Sequence, residues 1–198
     1  YDCCAEIARQ QKEELGEDTP THVVFMTAAG GRYDQEKCKR LAQLPCLTLV
    51  CGHYEGIDQR VIDAIADEEL SIGDYVITGG ELAALVCMDA ISRLVDGVLS
   101  NDDSAQTESF MGDGLLEYPQ YTRPAVWHGR EIPAILTSGN HEKVRQWRRK
   151  QSLRRTRERR PDMYEKLDLS SKQDKKLLKE MEQEDLENGL ETGSGHKG

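Results

Sequence analysis

The chain has 198 residues, of which 37% are hydrophobic and 31% are charged, and its formal net charge is −10. This length suits one domain with a core and a smaller partner domain, while the low apolar content predicts solvated helices or a tail. No apolar run approaches the roughly 18 residues of a membrane span, and no signal peptide opens the chain. We therefore expect a cytoplasmic protein. Its first residue, Tyr1, is not methionine, which suggests that an N-terminal piece is missing.

The six cysteines form no CxxC pair and no metal-ligand spacing with histidine. Cys38, Cys46, Cys51 and Cys87 lie within apolar patterns. This placement predicts reduced core residues of an intracellular protein and no metal site.

The first half of the chain alternates helical patterns with short apolar runs. A helix is predicted over residues 1–15, with Asp2 as a possible cap and Gly16 as its stop. A buried strand at residues 22–27 precedes the small-residue loop 28–31, and a second strand at residues 47–51 precedes the loop 52–56. Asp34 and Asp58 are predicted to cap the helices that follow these loops.

A third strand followed by a glycine loop is predicted within residues 71–82, where glycines bracket Tyr75, Val76 and Ile77 before a helix over residues 82–95. Strands that alternate with helices indicate a parallel sheet covered on both faces. Open sheets of this kind bind ligands at the carboxyl ends of their strands. The three glycine loops are therefore predicted to meet at one ligand site.

The second half of the chain is more polar. Residues 96–113 are rich in turn formers and predict a linker, and three prolines make residues 115–135 irregular. Asn140 is the predicted cap of a long basic helix that runs towards residue 160. Ser171 and Asp174 form a predicted capping box before a last helix.

Residues 145–160 contain nine lysines and arginines and a single acid, Glu158, so this segment carries +8 and leaves −18 for the rest of the chain. Such a basic stripe on an acidic protein predicts local binding of a polyanion, because nine cations with one acid would otherwise repel each other. Trp147 lies in the stripe and could stack on a base. Since a tryptophan in a helix is more often a core anchor, we interpret it as core.

Five ordered motifs between His22 and about Leu167 resemble those of bacterial tRNA (guanine-N1)-methyltransferases. They are LVCGHYEGIDQR at 49–60, SIGDYVITGGEL at 71–82, GLLEYPQYTRP at 114–124, SGNH at 138–141 and RRTRERRP at 154–161. The resemblance implies a SPOUT fold, an α/β parallel sheet with a C-terminal trefoil knot, plus a small helical C-terminal domain. The implied divisions are a knotted domain at 1–97 lacking its N-terminal part, a flexible linker at 98–114, a helical tRNA-binding domain at 115–187 and a disordered tail at 188–198.

The resemblance also implies that S-adenosylmethionine binds at the three glycine loops. Backbone groups at glycine turns can bond the adenine and ribose, while isoleucines supply apolar walls. The cofactor-binding positions carried over are Phe25, Met26, Ala28, Gly52, Tyr54, Glu55, Ile72, Gly73, Tyr75, Ile77, Gly79 and Gly80.

The implied reaction methylates N1 of the guanine 3′-adjacent to the tRNA anticodon. N1 carries a proton, so the chemistry needs a general base at N1 and positive charge near O6. The family places its base just before a Ser-Phe pair, which makes Glu108 the candidate where aspartate is usual, and Arg93 matches the catalytic arginine. The family also works as a homodimer whose two chains share the active site. The candidate RNA-binding residues are Arg145, Arg148, Arg149, Arg154, Arg155 and Arg157.

Two alternatives remain at this point. A SPOUT enzyme of the same fold could methylate a ribose 2′-hydroxyl, although Glu108 and the YTRP segment at 121–124 argue against it. An RNA-binding module without catalysis is favoured only by the missing N-terminal portion. The first loop also reads Thr27-Ala28-Ala29-Gly30, where the family commonly has Ser-Pro before the glycine, which predicts a less rigid loop.

Overall fold

The computed structural model describes residues 1–54, 56–98, 108–187 and 189. The chain divides into two compact units, Tyr1–Asn101 and Asp102–Gly198. Glu55, most of the expected linker and, apart from Gly189, the expected tail lie outside the described residues. In the part of the chain that the structure describes, no helix is both long and apolar enough to cross a membrane.

The first unit is a mixed α/β structure, as predicted. Its elements are α1 (Asp2–Leu15), β1 (Val23–Arg32), α2 (Gln35–Leu41), β2 (Thr48–Cys51), α3 (Gln59–Ile65), β3 (Glu68–Ser71) and α4 (Glu81–Ser92). The three strands form a parallel sheet in the order β2-β1-β3, with β1 in the centre. The prediction of a parallel sheet is therefore confirmed.

Local capping signals were predicted well. The Asp34 side chain accepts a hydrogen bond from the Lys37 amide, and the Asp58 side chain accepts one from the Arg60 amide, both at 2.9 Å. Gly16 ends α1 with a φ of 109°. The cap of α1 is Tyr1 without a side-chain bond, so the expectation for Asp2 was wrong.

The predicted loop at residues 28–31 is instead part of β1. The register of β1 against β3 shifts between Met26 and Gly31, and both residues pair with Leu70. At Gly30 an added Cβ would lie 2.6 Å from the backbone carbon of Glu69 and the nitrogen of Leu70. Glycine is needed there because the two strands approach closely at the bulge.

The third strand lies earlier than predicted. The apolar residues Tyr75, Val76 and Ile77 are exposed, with Val76 at 87%, and they lie in an irregular segment, 72–80. Strand β3 ends at Ser71 because its pairing with β1 stops there, at Arg32. This strand begins with two glutamates, Glu68 and Glu69, so it lacks the apolar run by which the other strands were predicted.

The core of the first unit lies between the sheet and α4. Its buried members include Val24, Met26, Leu41, Leu70 and Cys87. Burial raises the pKa of the Cys87 thiol to about 11, so the thiol stays protonated. All six cysteines are free, and Cys38 is also buried. These two confirm the predicted core role, whereas Cys46 and Cys51 are only half-buried.

The second unit is mostly helical. A two-stranded antiparallel hairpin, β4 (Val126–Trp127) and β5 (Arg130–Glu131), precedes a 3₁₀ turn at Ala134–Thr137 and the helices α5 (His141–Arg159), α6 (Pro161–Tyr164) and α7 (Lys172–Glu187). Asn140 caps α5, and the Ser171 hydroxyl accepts a hydrogen bond from the Asp174 amide at 2.9 Å. Both predicted caps are thus confirmed.

Leu115, Leu153, Leu177 and Met181 form the core of the second unit, between α5, α7 and the segment before the hairpin. Trp147 is not among the buried residues but lies half-buried. Its interpretation as a core anchor was therefore wrong, and its ring instead lies 6.2 Å from that of Tyr121, measured between ring centres.

Gly30→Ala is expected to destabilise the protein by about 1–3 kcal/mol, because the new methyl group would collide with the backbone of β3. Gly31→Ala is the matched control, since its nearest neighbour would be the flexible tip of Lys37. Urea denaturation of the two variants measures the difference. Equal stabilities would contradict the close approach at the bulge.

Candidate functional site

A pocket of about 220 Å³ lies where the pairing of β1 with β2 ends, at Met26 and Cys51, and where β3 ends, at Ser71. The segments after β2 and β3 line it as predicted, whereas β1 contributes residues 26–28 from within the strand. The predicted positions that line it are Met26, Ala28, Gly52, Tyr54, Ile72, Gly73, Tyr75, Ile77, Gly79 and Gly80. Thr27, Ser71, Val76 and Thr78 also line it and were not predicted.

Of the other two predicted positions, one is not part of this lining and one cannot be placed relative to it. Phe25 is 3% exposed and does not line the pocket. Successive residues of a strand point to opposite faces, so Phe25 points away from the side of the sheet to which its neighbour Met26 contributes. Glu55 lies outside the described residues.

Ser71 fixes the turn that opens the pocket segment. Its buried hydroxyl donates to the Gly73 carbonyl at 3.0 Å and accepts from the Gly73 amide at 3.3 Å. The Tyr75 amide also donates to the Gly73 carbonyl, at 2.9 Å. Gly73 has a φ of 155°, a conformation that a side chain would oppose. A serine two residues before a glycine is the signal that could have identified this turn.

Gly80 is required for packing at the floor of the pocket. It is the N-cap residue of α4, and a Cβ there would lie 3.0 Å from Cys51 Cα and 3.2 Å from Met26 Cβ. Glycine therefore lets the first turn of α4 rest on the ends of β1 and β2. The pocket depends on this contact, because α4 supplies one of its walls through Ala83.

A histidine to which the sequence assigned no role connects two of the loops. His53 Nε2 lies 2.6 Å from Glu81 Oε1, which joins the loop after β2 to the first residue of α4. Both side chains are more than half exposed, so the pair adds little stability.

The predicted catalytic residues are not in this pocket. Arg93 is the C-cap of α4, whereas the pocket lies at the other end of that helix. Twelve helical residues span about 18 Å, so the glycine loops and Arg93 are well separated within this unit. Glu108 belongs to the second unit.

Glu108 lines a cavity of about 380 Å³ in the second unit. Three arginines of α5, Arg145, Arg148 and Arg149, line the same cavity, together with Tyr118. The segment that carries Glu108 is held by its own hydrogen bonds, since Ser109 Oγ accepts from the Glu117 amide at 2.9 Å and the Phe110 amide donates to the Leu115 carbonyl at 3.1 Å. This cavity thus brings the Glu108 carboxylate together with three arginine guanidinium groups.

Across residues 1–54, 56–98, 108–187 and 189, no cluster of three or more histidine, cysteine or acidic side chains could hold a metal ion.

Comparison with known proteins identifies the family. The family described as tRNA (Guanine-1)-methyltransferase TrmD matches residues 4–166. This chain belongs to that family. Relatives named tRNA (guanine-N(1)-)-methyltransferase include those of Alkaliphilus oremlandii, 51% identical over 86% of this chain and 68% of the relative, and Clostridium perfringens strain 13, 55% identical over 79% and 65%. A third, from Limosilactobacillus fermentum, is 55% identical over 76% of this chain and 59% of its own length.

These matches confirm the resemblance stated from the five motifs. They also show that the chain spans about two thirds of the length of the curated relatives it matches.

The basic stripe of this tRNA methyltransferase family member is not surrounded by solvent alone. Three of its cations, Lys150, Arg154 and Arg157, pair with acids of α7 at 2.6–2.8 Å, which are Glu184 for the first two and Asp185 for the third. The argument that these cations would repel each other without a polyanion therefore does not hold for these three, because α7 supplies them with carboxylates. The acids lie about 30 residues further along the chain, outside the window in which the charges were counted.

Other members of the stripe have different partners. Arg149 pairs with Asp113 and with Asp174, the latter at 3.0 Å, and Arg155 donates to the Glu117 carbonyl at 3.0 Å. Arg145 pairs with Glu142 on the same helix and stays 71% exposed. The Arg148 guanidinium lies 4.8 Å from the centre of the Tyr118 ring. Arg145 and Arg148 are thus the most accessible cations among the predicted RNA-binding residues.

The α5–α7 ion pairs shift the pKa values of the acids. Hydrogen bonds from Lys150 and Arg154 lower the pKa of Glu184 against a smaller opposing effect of burial. Burial raises the pKa of Asp174, but bonds from Arg149 and Ser171 outweigh it and leave the pKa lowered. Both carboxylates are therefore ionised at neutral pH, and their charge helps to hold α7 on α5.

Acid should weaken this packing. The folded pKa values lie below the ordinary values of 3.8 for Asp174 and 4.5 for Glu184, so the stabilisation is complete above pH 4.5 and is lost as the pH falls through the lowered values. Urea denaturation followed by circular dichroism between about pH 5 and pH 3 measures this loss. Glu184→Gln should make the dependence shallower, whereas Glu182→Gln, at an exposed position of the same helix, should leave it unchanged.

Proposed function

We propose that this chain transfers a methyl group from S-adenosylmethionine to N1 of the guanine 3′-adjacent to the anticodon of a tRNA, in the cytoplasm. The observation that carries the proposal is the name shared by relatives 51–55% identical over most of the chain, tRNA (guanine-N(1)-)-methyltransferase. The pocket that residues 26–28 of β1 form with the glycine loops after β2 and β3, at one edge of a parallel sheet, supports it independently.

The strand-end pocket suits the adenosine part of the cofactor. Its irregular segment, 72–80, leaves backbone groups near the pocket that no strand ladder uses, and Ile72 and Ile77 provide apolar walls. Its volume of about 220 Å³ is below the range of about 300–1,000 Å³ typical of ligand sites. We infer that these residues hold one part of S-adenosylmethionine and that further groups, Glu55 among them, complete the site.

A homodimer with a shared active site would supply such groups. Leu82, Leu85, Val86 and Met88 are all exposed on α4, and Val76 is exposed in the segment that precedes this helix. An apolar surface of this kind favours contact with a second copy of the chain. The trefoil knot is proposed as well. In it, the segment after β3, which lines the pocket, would be the part of the chain that is threaded.

The proposed chemistry uses one carboxylate and one guanidinium. S-adenosylmethionine supplies a methyl group that its sulfonium already activates. Glu108 would accept the N1 proton of the guanine, and the N1 electron pair would form the bond to the methyl carbon as the carbon–sulfur bond breaks, so that its electron pair goes to sulfur and S-adenosylhomocysteine leaves. Arg93 would stabilise the negative charge that develops on O6. Arg93 lies at the far end of α4 from the glycine loops, so it is too distant from them to act in the pocket of its own chain. We therefore assign it to an active site that the partner subunit completes.

The second unit is the proposed tRNA-binding domain, with 98–114 as the linker and 1–97 as the cofactor domain. Arg145 and Arg148 are the proposed phosphate contacts nearest Glu108, because all three line one cavity. Arg149, Arg154, Arg155 and Arg157 are also proposed to bind RNA, and each of them holds a neighbouring segment of the unit in place.

Glu108→Gln should lower methyl transfer to tRNA by about 10²–10⁴-fold, since the amide cannot accept the N1 proton. Binding of S-adenosylmethionine, measured by calorimetry, should stay unchanged. Glu108→Asp is the matched control and should retain activity, because it keeps the carboxylate. A Glu108→Gln variant with the wild-type rate would show that Glu108 is not the base. Mass spectrometry of the digested RNA locates the methyl group, and a methyl group on ribose would favour the ribose 2′-O-methyltransferase alternative.

Arg145→Ala should weaken tRNA binding and reduce the slope of log K against log[salt] by about 0.7–0.9, the contribution of one phosphate contact. Arg157→Ala should instead destabilise the fold by about 1–3 kcal/mol, because it leaves the buried Asp185 without its closest cation. Fluorescence anisotropy over a salt series and urea denaturation separate the two effects. An unchanged slope in Arg145→Ala would place the phosphate contacts elsewhere.

A further inference from the structure

A second cavity in the helical unit, of about 440 Å³, is not used by the proposed reaction. It lies between the irregular segment that precedes the hairpin, the 3₁₀ turn and α5. Its lining consists of aromatic, aliphatic and neutral polar side chains with two arginines, namely Tyr118, Pro119, Gln120, Tyr121, Thr122, Arg123, Ala125, Ile132, Leu136, Thr137, Val144, Trp147 and Arg148.

Aromatic rings form one wall of the cavity. The ring centres of Tyr121 and Trp147 are 6.2 Å apart, and their planes are inclined by 54°. Tyr121 is 45% exposed and Trp147 is half-buried, so both rings can be reached from solvent. An accessible ring that is supported by a second ring is the usual platform for an unpaired base.

The ring geometry determines how a base could bind. A base stacked between two rings needs two contacts of about 3.5 Å each, hence parallel rings about 7 Å apart. The 6.2 Å separation and the 54° inclination do not allow this arrangement. A single base can instead stack on one ring and meet the other with its edge, a geometry that aromatic pairs favour.

The charge around the cavity fits a nucleotide. Arg148 and Arg123 lie at its exposed rim, and Arg148 is held over the Tyr118 ring at 4.8 Å. None of its lining residues, all within the described range 108–187, is acidic. This is notable in a chain with a net charge of −10. Gln120, Thr122 and Thr137 offer neutral hydrogen-bonding groups of the kind that read base edges.

We propose that this cavity binds one unpaired nucleobase of an RNA, with Tyr121 and Trp147 as the stacking platform and Arg123 and Arg148 on the adjoining phosphates. The proposal rests on the proposed function only in taking RNA as the partner. It adds a base-binding site apart from the guanine that is methylated. The Tyr118 and Arg148 side chains line both this cavity and the one that contains Glu108, so the two sites are neighbours.

The chain contains two tryptophans, Trp127 and Trp147, which gives a direct probe. Trp127 is 58% exposed on the hairpin and does not line the cavity. Trp127→Phe therefore leaves Trp147 as the sole tryptophan, and its emission reports on the cavity. Titration of this variant with a short single-stranded RNA should quench the emission until it saturates, while the same RNA annealed to its complement should not.

Replacement of the second ring tests the platform. In the Trp127→Phe background, Tyr121→Leu should weaken binding of the single-stranded RNA by about 10-fold, the effect typical of losing one stacked base. Tyr121→Phe keeps the ring and should bind as tightly as its parent. Circular dichroism should show the same folded content in all three proteins, because Tyr121 is 45% exposed and lies outside the apolar core of the unit.

Anisotropy of a labelled RNA measures binding independently of the tryptophan signal. Emission that stays constant while anisotropy shows bound RNA would overturn the proposal, as would equal quenching by the duplex, an unchanged affinity in Tyr121→Leu, or no binding of either RNA. Methyl transfer to tRNA without quenching would overturn the cavity proposal alone. Quenching without methyl transfer would overturn the proposed reaction and leave the base-binding site standing.

Discussion

The parallel pairing of β1 with both of its neighbours is the constraint on which the rest of the first unit depends. The pairing of β1 with β2 ends at Met26 and Cys51 and β3 ends at Ser71, so the residues that follow these three positions collect at one edge of the sheet. Two glycines make this arrangement sterically possible. Gly30 lets β1 stay close to β3 beyond the bulge, and Gly80 lets α4 rest on the strand ends. The pocket is the space that remains between these contacts.

In the second unit, the pairing of α5 with α7 has a comparable place. A small apolar core around Leu153 and Met181 is flanked by ion pairs that Lys150 and Arg157 of the basic stripe form with acids of α7. These charges orient α5, so that Arg145 and Arg148 face the cavities next to Glu108 and Tyr121. The helix therefore serves two purposes, with one side devoted to folding and the other accessible to a ligand.

Features that depend on neighbouring residues could be predicted from the sequence. The caps at Asp34, Asp58, Asn140 and Ser171 are local hydrogen bonds, and the glycine loops follow their strands within a few residues. Features decided by tertiary contacts could not. The strand at residues 68–71 is stabilised by β1 despite its two glutamates, which no apolar pattern reveals. The residue type of Phe25 does not reveal which face of the sheet it occupies, because that depends on where the strand lies in the sheet. The acids of α7 are distant in sequence from the arginines with which they pair.

The ion pairs of α5 also bear on the thermodynamics of any polyanion that binds there. Much of the free energy of RNA binding arises when cations on the protein replace small ions condensed along the phosphates, which then gain entropy in solution. Lys150, Arg154 and Arg157 already have carboxylates of their own. For these side chains to contact phosphate, α7 would have to give up its pairs, and that loss offsets the entropy gained from the released ions. Helix α7 thus acts as a built-in counterion, and a polyanion bound at α5 would release fewer ions than the number of positive residues on that helix.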